Sequence, residues 1–278
     1  IFNQDVKQNI AHKSLWGQDE VTDISSVFRS CLGYAATPGF AFIKQTIESS
    51  YGTFSGLKSI ELGGGLGKMS VLFSLLGAKT TLVDYSPKQL KRAEYVAKKF
   101  QINSVFILKN ILQLPKSFSG AYDVSMSFGT AEHFFGVERQ KVFHVHSEVL
   151  RKGGLCIIWV PNRYGFFYHF GVLARKTFKR AVSKIDEIPF TRKDLRRRAE
   201  RLRLKEIKII GGEMLKNDFL NHIFNPYRLP FLRKRNKVFT TSQCAKNALM
   251  RKMFSNNSPV LPWNNHFSYP LILIGRRF

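Results

Sequence analysis

The sequence is poor in the features that mark secreted, disulfide-bonded and membrane-spanning proteins. Its 3 cysteines, Cys31, Cys156 and Cys244, are far apart and lack metal-ligand spacing, which predicts ordinary thiols and no metal site. No apolar run reaches the roughly 18 residues that a membrane-spanning helix needs. The first residues, IFNQDVKQNI, lack the basic-then-apolar pattern of a secretory leader. We therefore expect a protein of the cytoplasm.

Acidic residues are also scarce. The chain has 19 Asp and Glu against 44 Lys and Arg, a formal net charge of +25. The imbalance is concentrated in residues 161–278, which hold 26 of the basic residues and 7 of the acidic ones. Such asymmetry favours a polyanionic partner or an anionic membrane surface, and a solvated basic face explains it equally well.

Hydrophobic residues make up 44% of the chain and include 25 Phe, enough for a large core. Short apolar runs alternate with stretches of helical periodicity. The predicted strands are residues 59–62, 80–84, 105–109, 122–128, 155–160, 205–210 and 270–276, and the helices between them include 66–76, 86–100, 137–150 and 194–202. The sequence RKGG (151–154) is expected to end the helix at 137–150. Repetition of strand and helix predicts an α/β fold, in which a doubly wound, mostly parallel seven-stranded sheet is covered by helices on both faces.

Two regions fall outside this repeat. Residues 1–57 precede the first strand and are predicted to form an N-terminal helical cap. Residues 211–268 separate the last two strands, contain four prolines and the run RKRNK (233–237), and are predicted to be a basic insertion. The core is then 58–161, and residues 162–278 supply acceptor-site segments, the basic insertion and the final strands.

The sequence ELGGGLG (61–67) lies directly after the first predicted strand. In open parallel sheets, ligands bind at the carboxyl ends of the strands, near the point where the strand order reverses. The glycines at positions 63, 65 and 67 permit a tight turn and a close approach of backbone to ligand. Asp84 ends the second strand, where it can accept hydrogen bonds from ribose hydroxyls. The spacing is G-x-G-x-G, which differs from the G-x-G-x-x-G of dinucleotide sites.

In its order of motifs the chain resembles the class I S-adenosylmethionine-dependent methyltransferase family. The resemblance runs over residues 58–161, through ELGGGLG (61–67), VDYS (83–86), KNILQLP (109–115), YDVSMSFGTAEHF (122–134) and LRKGGLCIIWVPN (150–162). It implies a Rossmann-like methyltransferase fold, S-adenosylmethionine as cofactor and methyl transfer as activity. The closest subgroup acts on small molecules such as quinone precursors, lipids, sugars and natural products.

The resemblance also implies which residues contact the methionyl and ribose parts of the cofactor. Glu61 would hold the methionine ammonium through a charge-assisted bond. Gly63, Gly64 and Gly65 would line the methionyl and ribose portion, and Gly67 completes the turn. Asp84 would take the ribose.

The remaining implied contacts lie on later motifs. Tyr85 would offer an aromatic surface to the adenine or ribose. Asn110, where the family more often has Asp, would accept from the adenine amino group, and the backbone amide of Ile111 would donate to an adenine ring nitrogen. Ser127 and Phe128 would face the methionine and the reacting methyl group. Simple packing at the sheet edge is the alternative for Tyr85 and Phe128.

His133 follows the fourth predicted strand and is the candidate catalytic base, which a hydroxyl or protonated amine acceptor requires. Its alternative role is to shape the pocket. His144 and His146 are expected to be surface or packing residues. No Asn/Asp-Pro-Pro-aromatic motif follows the fourth strand, and Cys156 lies inside the fifth, which argues against the well-marked nucleic-acid methyltransferases.

Phe and Tyr interleave with Lys and Arg in residues 161–180. This pattern suits a lipid-like acceptor at an anionic membrane, a single-stranded nucleic acid, or a pocket wall with a basic outer face. We predict methyl transfer to an O or N atom of a small acceptor, with a lipid-like or membrane-associated one among the options. The protein could then sit at the inner face of a membrane. An RNA methyltransferase is the first alternative, and a non-catalytic cofactor-binding protein is the second.

Overall fold

The computed structural model describes residues 24–165, 187–211, 242–255 and 270–278. Within these ranges a single sheet of seven strands has the order β3-β2-β1-β4-β5-β7-β6. The strands are β1 Lys58–Leu62, β2 Lys79–Asp84, β3 Ser104–Leu108, β4 Tyr122–Phe128, β5 Leu150–Pro161, β6 Lys205–Gly211 and β7 Pro270–Arg276. Strand β7 runs in the direction opposite to the other six strands, because it pairs antiparallel with both β5 and β6. The predicted doubly wound, mostly parallel sheet is confirmed.

The helices of the described ranges are α1 Ile24–Ala35, α2 Pro38–Tyr51, α3 Lys68–Leu75, α4 Pro87–Phe100, α5 Gly136–Glu148, α6 Arg192–Arg201 and α7 Ser242–Ser255. Helix α4 begins as the sequence predicts. Ser86 accepts a hydrogen bond from the Gln89 backbone N–H, and proline occupies the first turn. Thr191 caps α6 in the same way, by accepting from the Asp194 N–H.

Strand β5 is longer than predicted. The Arg-Lys-Gly-Gly stretch after α5 was expected to end the helix as a turn, but β5 already begins at Leu150. Leu150 is fully buried and pairs with Tyr122, and the next paired residue is Leu155, opposite Val124. The residues of β5 between these two pairs make the ladder irregular there. This irregularity allows Leu150, at the start of β5, to pair with β4 as well.

The core has one cluster on each face of the sheet, and strand β5 shows the division most clearly. Its alternate residues Leu155, Ile157 and Trp159 belong to one cluster, together with side chains of α1, α2, α3 and α7. The residues between them, including Cys156 and Ile158, belong to the other, with side chains of α5 and α6. Because both faces are covered, the strand is almost wholly apolar.

The described N-terminal helices form part of one core layer. Phe28 of α1 and Phe40 of α2 are buried in the same cluster as the sheet residues, and the Tyr34 ring meets the Trp159 ring edge-on at 5.8 Å. Helix α7, in the predicted basic insertion, buries Leu249 and Met253 there as well. The run RKRNK (233–237) and residues 166–180 lie outside the described residues. No helix in the described ranges is both long and apolar enough to cross a bilayer.

His146 lies in the interior of the protein between two serines of β4. Its Nδ1 is 2.6 Å from Ser125 Oγ and its Nε2 is 2.9 Å from Ser127 Oγ. Burial lowers the pKa of the imidazole to about 3. His144, two residues earlier, has a side chain that is 68% exposed. One of the two histidines is therefore a packing residue and the other a surface residue, as expected.

We expect the burial of His146 to make the free energy of unfolding depend on pH in the acidic range. The unfolded chain takes up a proton near pH 6.5, and the folded chain only near pH 3. The unfolded state therefore binds more protons between these values, and stability falls as the pH drops through this window, by at most about 1.4 kcal/mol per pH unit. Urea unfolding from pH 7 to pH 5 should show a steeper loss for wild type than for His146→Gln. Equal changes of stability with pH in wild type and His146→Gln would contradict the assignment of this effect to His146. His144→Gln, which changes an exposed histidine, is the control.

Candidate active site

The loops that follow β1 and β4 meet at the carboxyl edge of the sheet. These two strands are neighbours at the point where the strand order reverses, which is where open α/β sheets bind ligands. The Thr130 hydroxyl, just beyond β4, donates to the Gly63 carbonyl at 3.1 Å. This bond joins the glycine turn to the loop that carries the catalytic candidate.

Three of the glycines are required by close packing. A Cβ on Gly63, whose φ is +69°, would lie 2.4 Å from the Thr130 Cγ2. A Cβ on Gly64 or Gly67 would lie 2.8 or 2.6 Å from the Leu82 Cδ1. A side chain at these positions would require the Thr130 or Leu82 side chain, or the turn itself, to move.

Gly65 has a different environment. Its φ is +53°, and no heavy atom of the described residues lies within 4 Å of the position that a Cβ would occupy. The Gly65 N–H donates to Asp84 Oδ2 at 2.9 Å. Among the described residues, the turn is therefore open at the Cβ position of Gly65, and its N–H side is joined to the Asp84 carboxylate.

Asp84 is 5% exposed and is held in place by backbone donors. In addition to the Gly65 bond, its Oδ1 accepts from the Ser86 N–H at 2.9 Å. Burial raises the pKa of the carboxyl group, and the backbone bonds oppose this rise. Each oxygen can accept a second hydrogen bond, so the predicted ribose contact is compatible with this geometry.

Glu61 makes a contact that the sequence did not predict. Its Oε2 accepts from the Ser70 N–H at 2.9 Å and from the Ser70 hydroxyl at 2.5 Å. The carboxyl group is buried, which raises its pKa to about 7. It thus satisfies a backbone donor in the first turn of α3. Its contact with the methionine ammonium stays a prediction.

Asn110 and Tyr85 lie at the same edge, beyond β3 and β2. The Asn110 side-chain oxygen accepts from the Leu112 N–H at 3.0 Å and so begins the short helical turn Ile111–Gln113. Ile111 is buried. The Tyr85 side chain is 36% exposed, and desolvation raises the pKa of its phenol. Their adenine and ribose contacts stay predictions.

At the end of β4, Ser127 and Phe128 face opposite sides of the sheet, as neighbouring strand residues must. The Ser127 hydroxyl is fully buried against His146. Its predicted contact with the methionine stays a prediction. The Phe128 ring packs 5.6 Å from the Trp159 ring, and its predicted contact with the methyl group is untested.

The short turn Ala131–His133 carries two ionisable residues. His133 is half-buried, whereas Glu132 is only 3% exposed and its Oε2 has no hydrogen-bond partner in the described structure. The Glu-His pair is visible in the sequence. The sequence does not indicate that Glu132 is the enclosed residue of the pair. Residues 187–190 lie against it in the fold, since the Ile188 N–H donates to the Glu132 carbonyl at 3.0 Å.

Two surface cavities bordered by described residues lie away from this edge. One of about 660 Å³ is lined by Lys79 and Val105 near the starts of β2 and β3. The other, of about 410 Å³, is lined by Thr46 of α2 and by Arg276 at the end of β7. Because both lie toward the opposite edge of the sheet, neither belongs to the candidate active site.

Comparisons with known proteins agree with this geometry. Residues 53–185 match a family model described as a methyltransferase domain, and this range includes all five sequence motifs. No curated protein matches the chain.

Solved structures of low sequence identity share the fold. An S-adenosylmethionine-dependent methyltransferase from Archaeoglobus fulgidus is 14% identical, with a TM-score of 0.52 over 85% of this chain and 93% of that one. A possible histamine N-methyltransferase from Thermotoga maritima is 14% identical, with a TM-score of 0.53 over 91% of both chains. Magnesium protoporphyrin IX methyltransferase from Synechocystis, with bound SAH, is 13% identical, with a TM-score of 0.50 over 100% of this chain and 99% of that one. Residues 53–185 thus carry a methyltransferase domain, and the chain shares its fold with S-adenosylmethionine-dependent methyltransferases.

Proposed function

We propose that this methyltransferase acts on an oxygen or nitrogen atom of a small acceptor, which binds over the carboxyl ends of β1 and β4. The observation that carries the proposal is the glycine turn, which is open at the Cβ position of Gly65 among the described residues and is joined through the Gly65 N–H to the Asp84 carboxylate. A ligand with a ribose and an extended amino-acid portion fits this site. Its ribose hydroxyls need an acceptor, which the Asp84 carboxylate provides, and its amino-acid portion needs a turn without side chains.

S-adenosylmethionine supplies a methyl group that is already activated by its bond to a positively charged sulfur. The protein must hold the acceptor atom in line with that carbon, and such positioning can supply much of the rate enhancement. The β4 loop is suited to this task, since Thr130 links it to the glycine turn. An acceptor hydroxyl or protonated amine must also lose a proton. His133 is the base that the sequence predicts for this step.

The names of two similar structures support a small acceptor. A possible histamine N-methyltransferase and a magnesium protoporphyrin IX methyltransferase share this fold, and both names refer to small molecules. At 14% and 13% identity, the likeness concerns the fold, so the choice of acceptor requires an experiment.

A cofactor-turnover assay tests the proposal. Purified protein is incubated with S-adenosylmethionine and with separated small-molecule, lipid or RNA fractions, and the release of S-adenosylhomocysteine is measured. Release with small molecules or lipids supports the proposal. Release with RNA alone would replace it with the RNA alternative. Cofactor binding without release in any fraction would favour a non-catalytic binding protein.

Helix α6 supports a contact with an anionic surface. Its residues Lys193, Arg196, Arg197 and Arg201 are exposed, whereas Leu195 is buried against the sheet. The outer face of the helix is therefore cationic and has no apolar stripe that could enter a bilayer. Electrostatic attraction to anionic headgroups would place the enzyme near lipid-like acceptors. RNA, which attracts the same charges, is the alternative partner.

Charge reversal on α6 should weaken binding to anionic membranes. We expect the triple variant R196E/R197E/R201E to lose about 1 kcal/mol of affinity for phosphatidylserine vesicles per removed charge, and somewhat more because negative charges replace them. Sedimentation with vesicles of phosphatidylserine or of neutral phosphatidylcholine measures the effect. Wild-type binding should also weaken as salt is raised.

A matched triple variant on α4 is the control. Lys91, Lys98 and Lys99 are exposed on the outer face of α4, and their replacement by glutamate changes the net charge by the same amount. If both triple variants lose equal affinity, binding reflects net charge and not the α6 face. Strong wild-type binding to RNA with none to vesicles would favour the alternative partner.

A further inference from the structure

The Glu132 carboxyl group belongs to the loop after β4, which contacts the glycine turn through Thr130. A Cβ on Gly129, the first residue beyond β4, would be 3.4 Å from Glu132 Oε1, so the carboxyl lies against the backbone there. Thr130, between these two residues, donates to the Gly63 carbonyl. One short loop therefore connects the glycine turn with the Glu132 carboxyl group.

Glu132 is buried at a cost to stability. The residue is 3% exposed, and within the described part of the chain its Oε2 has no hydrogen-bond partner. Burial of a carboxyl oxygen without a partner is unfavourable. Such an atom is explained when a ligand supplies the missing partner.

The charged groups around Glu132 come from two neighbouring elements. Glu187, in the segment that covers the loop, opposes ionisation of Glu132, whereas Arg139 of α5 favours it. The Arg139 guanidinium stacks 3.6 Å over the Phe190 ring and lies 3.9 Å from Asp194, and its buried Nη1 also has no partner among the described residues. Desolvation has the largest effect and raises the pKa of Glu132 to about 8.

We propose that Glu132 is a catalytic residue, which takes the proton that the acceptor loses on methylation. This inference rests on the proposed function. The acceptor oxygen or nitrogen forms its bond to the methyl carbon as the carbon–sulfur bond breaks, and that electron pair stays on sulfur. The proton of the acceptor O–H or N–H moves to Glu132 Oε2 and leaves to solvent after the product departs. His133, in the same turn, then shapes the pocket.

A general base works best when its pKa lies near the working pH, and proton transfer of this kind contributes about 10²- to 10⁴-fold to the rate. Glu132 meets this condition because of its burial. Wild-type turnover should therefore rise as the pH is raised toward 8 and level off above it.

The first test compares Glu132→Gln with wild type from pH 6 to pH 9, with whichever acceptor fraction supports turnover. Glutamine keeps the size of the side chain but cannot take a proton. We expect turnover to fall at least about 100-fold at pH 8, the pH-dependent rise to disappear, and calorimetry to show unchanged cofactor affinity. Glu148→Gln, an exposed change on α5, is the matched control, and His133→Ala should lose less than about tenfold. Wild-type turnover and pH profile in Glu132→Gln would overturn the inference.

A second readout needs no acceptor. The folded chain keeps its proton on Glu132 up to about pH 8, whereas the unfolded chain loses it near pH 4.5. Wild-type stability therefore falls as the pH rises between these values, and Glu132→Gln removes this loss. The urea midpoint of the variant should increase relative to wild type from pH 5 to pH 8. If Glu132 has a structural role and its carboxylate is held by hydrogen bonds, Glu132→Gln should instead be less stable than wild type at pH 8. That result would overturn the inference.

The two proposals fail in different ways. If wild type does not bind S-adenosylmethionine or release its product, the proposed function fails. If wild type transfers methyl groups and Glu132→Gln does so equally well, only the assignment of Glu132 fails.

Discussion

Replacement of Gly65 by valine should abolish cofactor binding and leave the protein folded. The added Cβ meets no heavy atom of the described residues within 4 Å, so the valine side chain would occupy the open side of the turn, where the cofactor is predicted to lie. The left-handed φ of +53° adds a strain of roughly 1–2 kcal/mol. Isothermal calorimetry with S-adenosylhomocysteine measures the binding, and circular dichroism measures the melting temperature.

Gly120→Val is the matched control for backbone strain. Gly120 has a φ of +68° and likewise no heavy atom within 4 Å of its Cβ position, but it precedes β4 at the opposite edge of the sheet. We expect a similar loss of stability and normal cofactor binding. Normal binding in Gly65→Val would show that the turn does not face the ligand.

Asp84→Ala should weaken cofactor binding by about 1–3 kcal/mol, the usual cost of losing charged hydrogen bonds. The carboxylate has two functions in this structure. It is the predicted ribose acceptor, and it also accepts from the Gly65 and Ser86 N–H groups. Loss of the carboxylate thus removes a ligand contact and loosens the turn. Asp84→Asn, which keeps one acceptor oxygen, should lose less affinity than the alanine variant.

Asp123→Ala provides the control for this change. Asp123 also accepts from a backbone N–H, that of Lys58 at 2.7 Å, and it pairs with Arg151. It is the second residue of β4, far from the carboxyl edge. We expect lower thermal stability with unchanged affinity for S-adenosylhomocysteine. Unchanged affinity in Asp84→Ala would show that the ribose lies elsewhere.

The strands were predictable because each is a short apolar run between strong turn signals. The exception was β5, where two adjacent glycines suggested a stop. Pairing of Leu150 with Tyr122, a contact between residues distant in sequence, extends the strand through them. Local preference was overridden by the partner strand and by burial.

The site was only partly predictable for the same reason. The glycine turn and Asp84 lie at the ends of consecutive strands, so the order of elements alone brings them together. The bond between the Ser127 hydroxyl and His146 is a contact that the sequence did not predict. Glu61 was assigned to the ligand alone, although it also bonds to Ser70 of α3. Both partners lie on helices whose packing no local pattern indicates.

The turn at residues 61–67, the parallel sheet and the position of the cofactor site follow from the sequence alone, because glycine spacing and strand–helix alternation are local properties. The tertiary structure decided which ionisable groups are enclosed. Glu132 is covered by a segment more than 50 residues later in the chain, through the bond from the Ile188 N–H. Burial determines the pKa of a carboxyl group, and burial is set by such distant contacts. The difference between Glu132 and His133 as catalytic candidates could therefore come only from the fold.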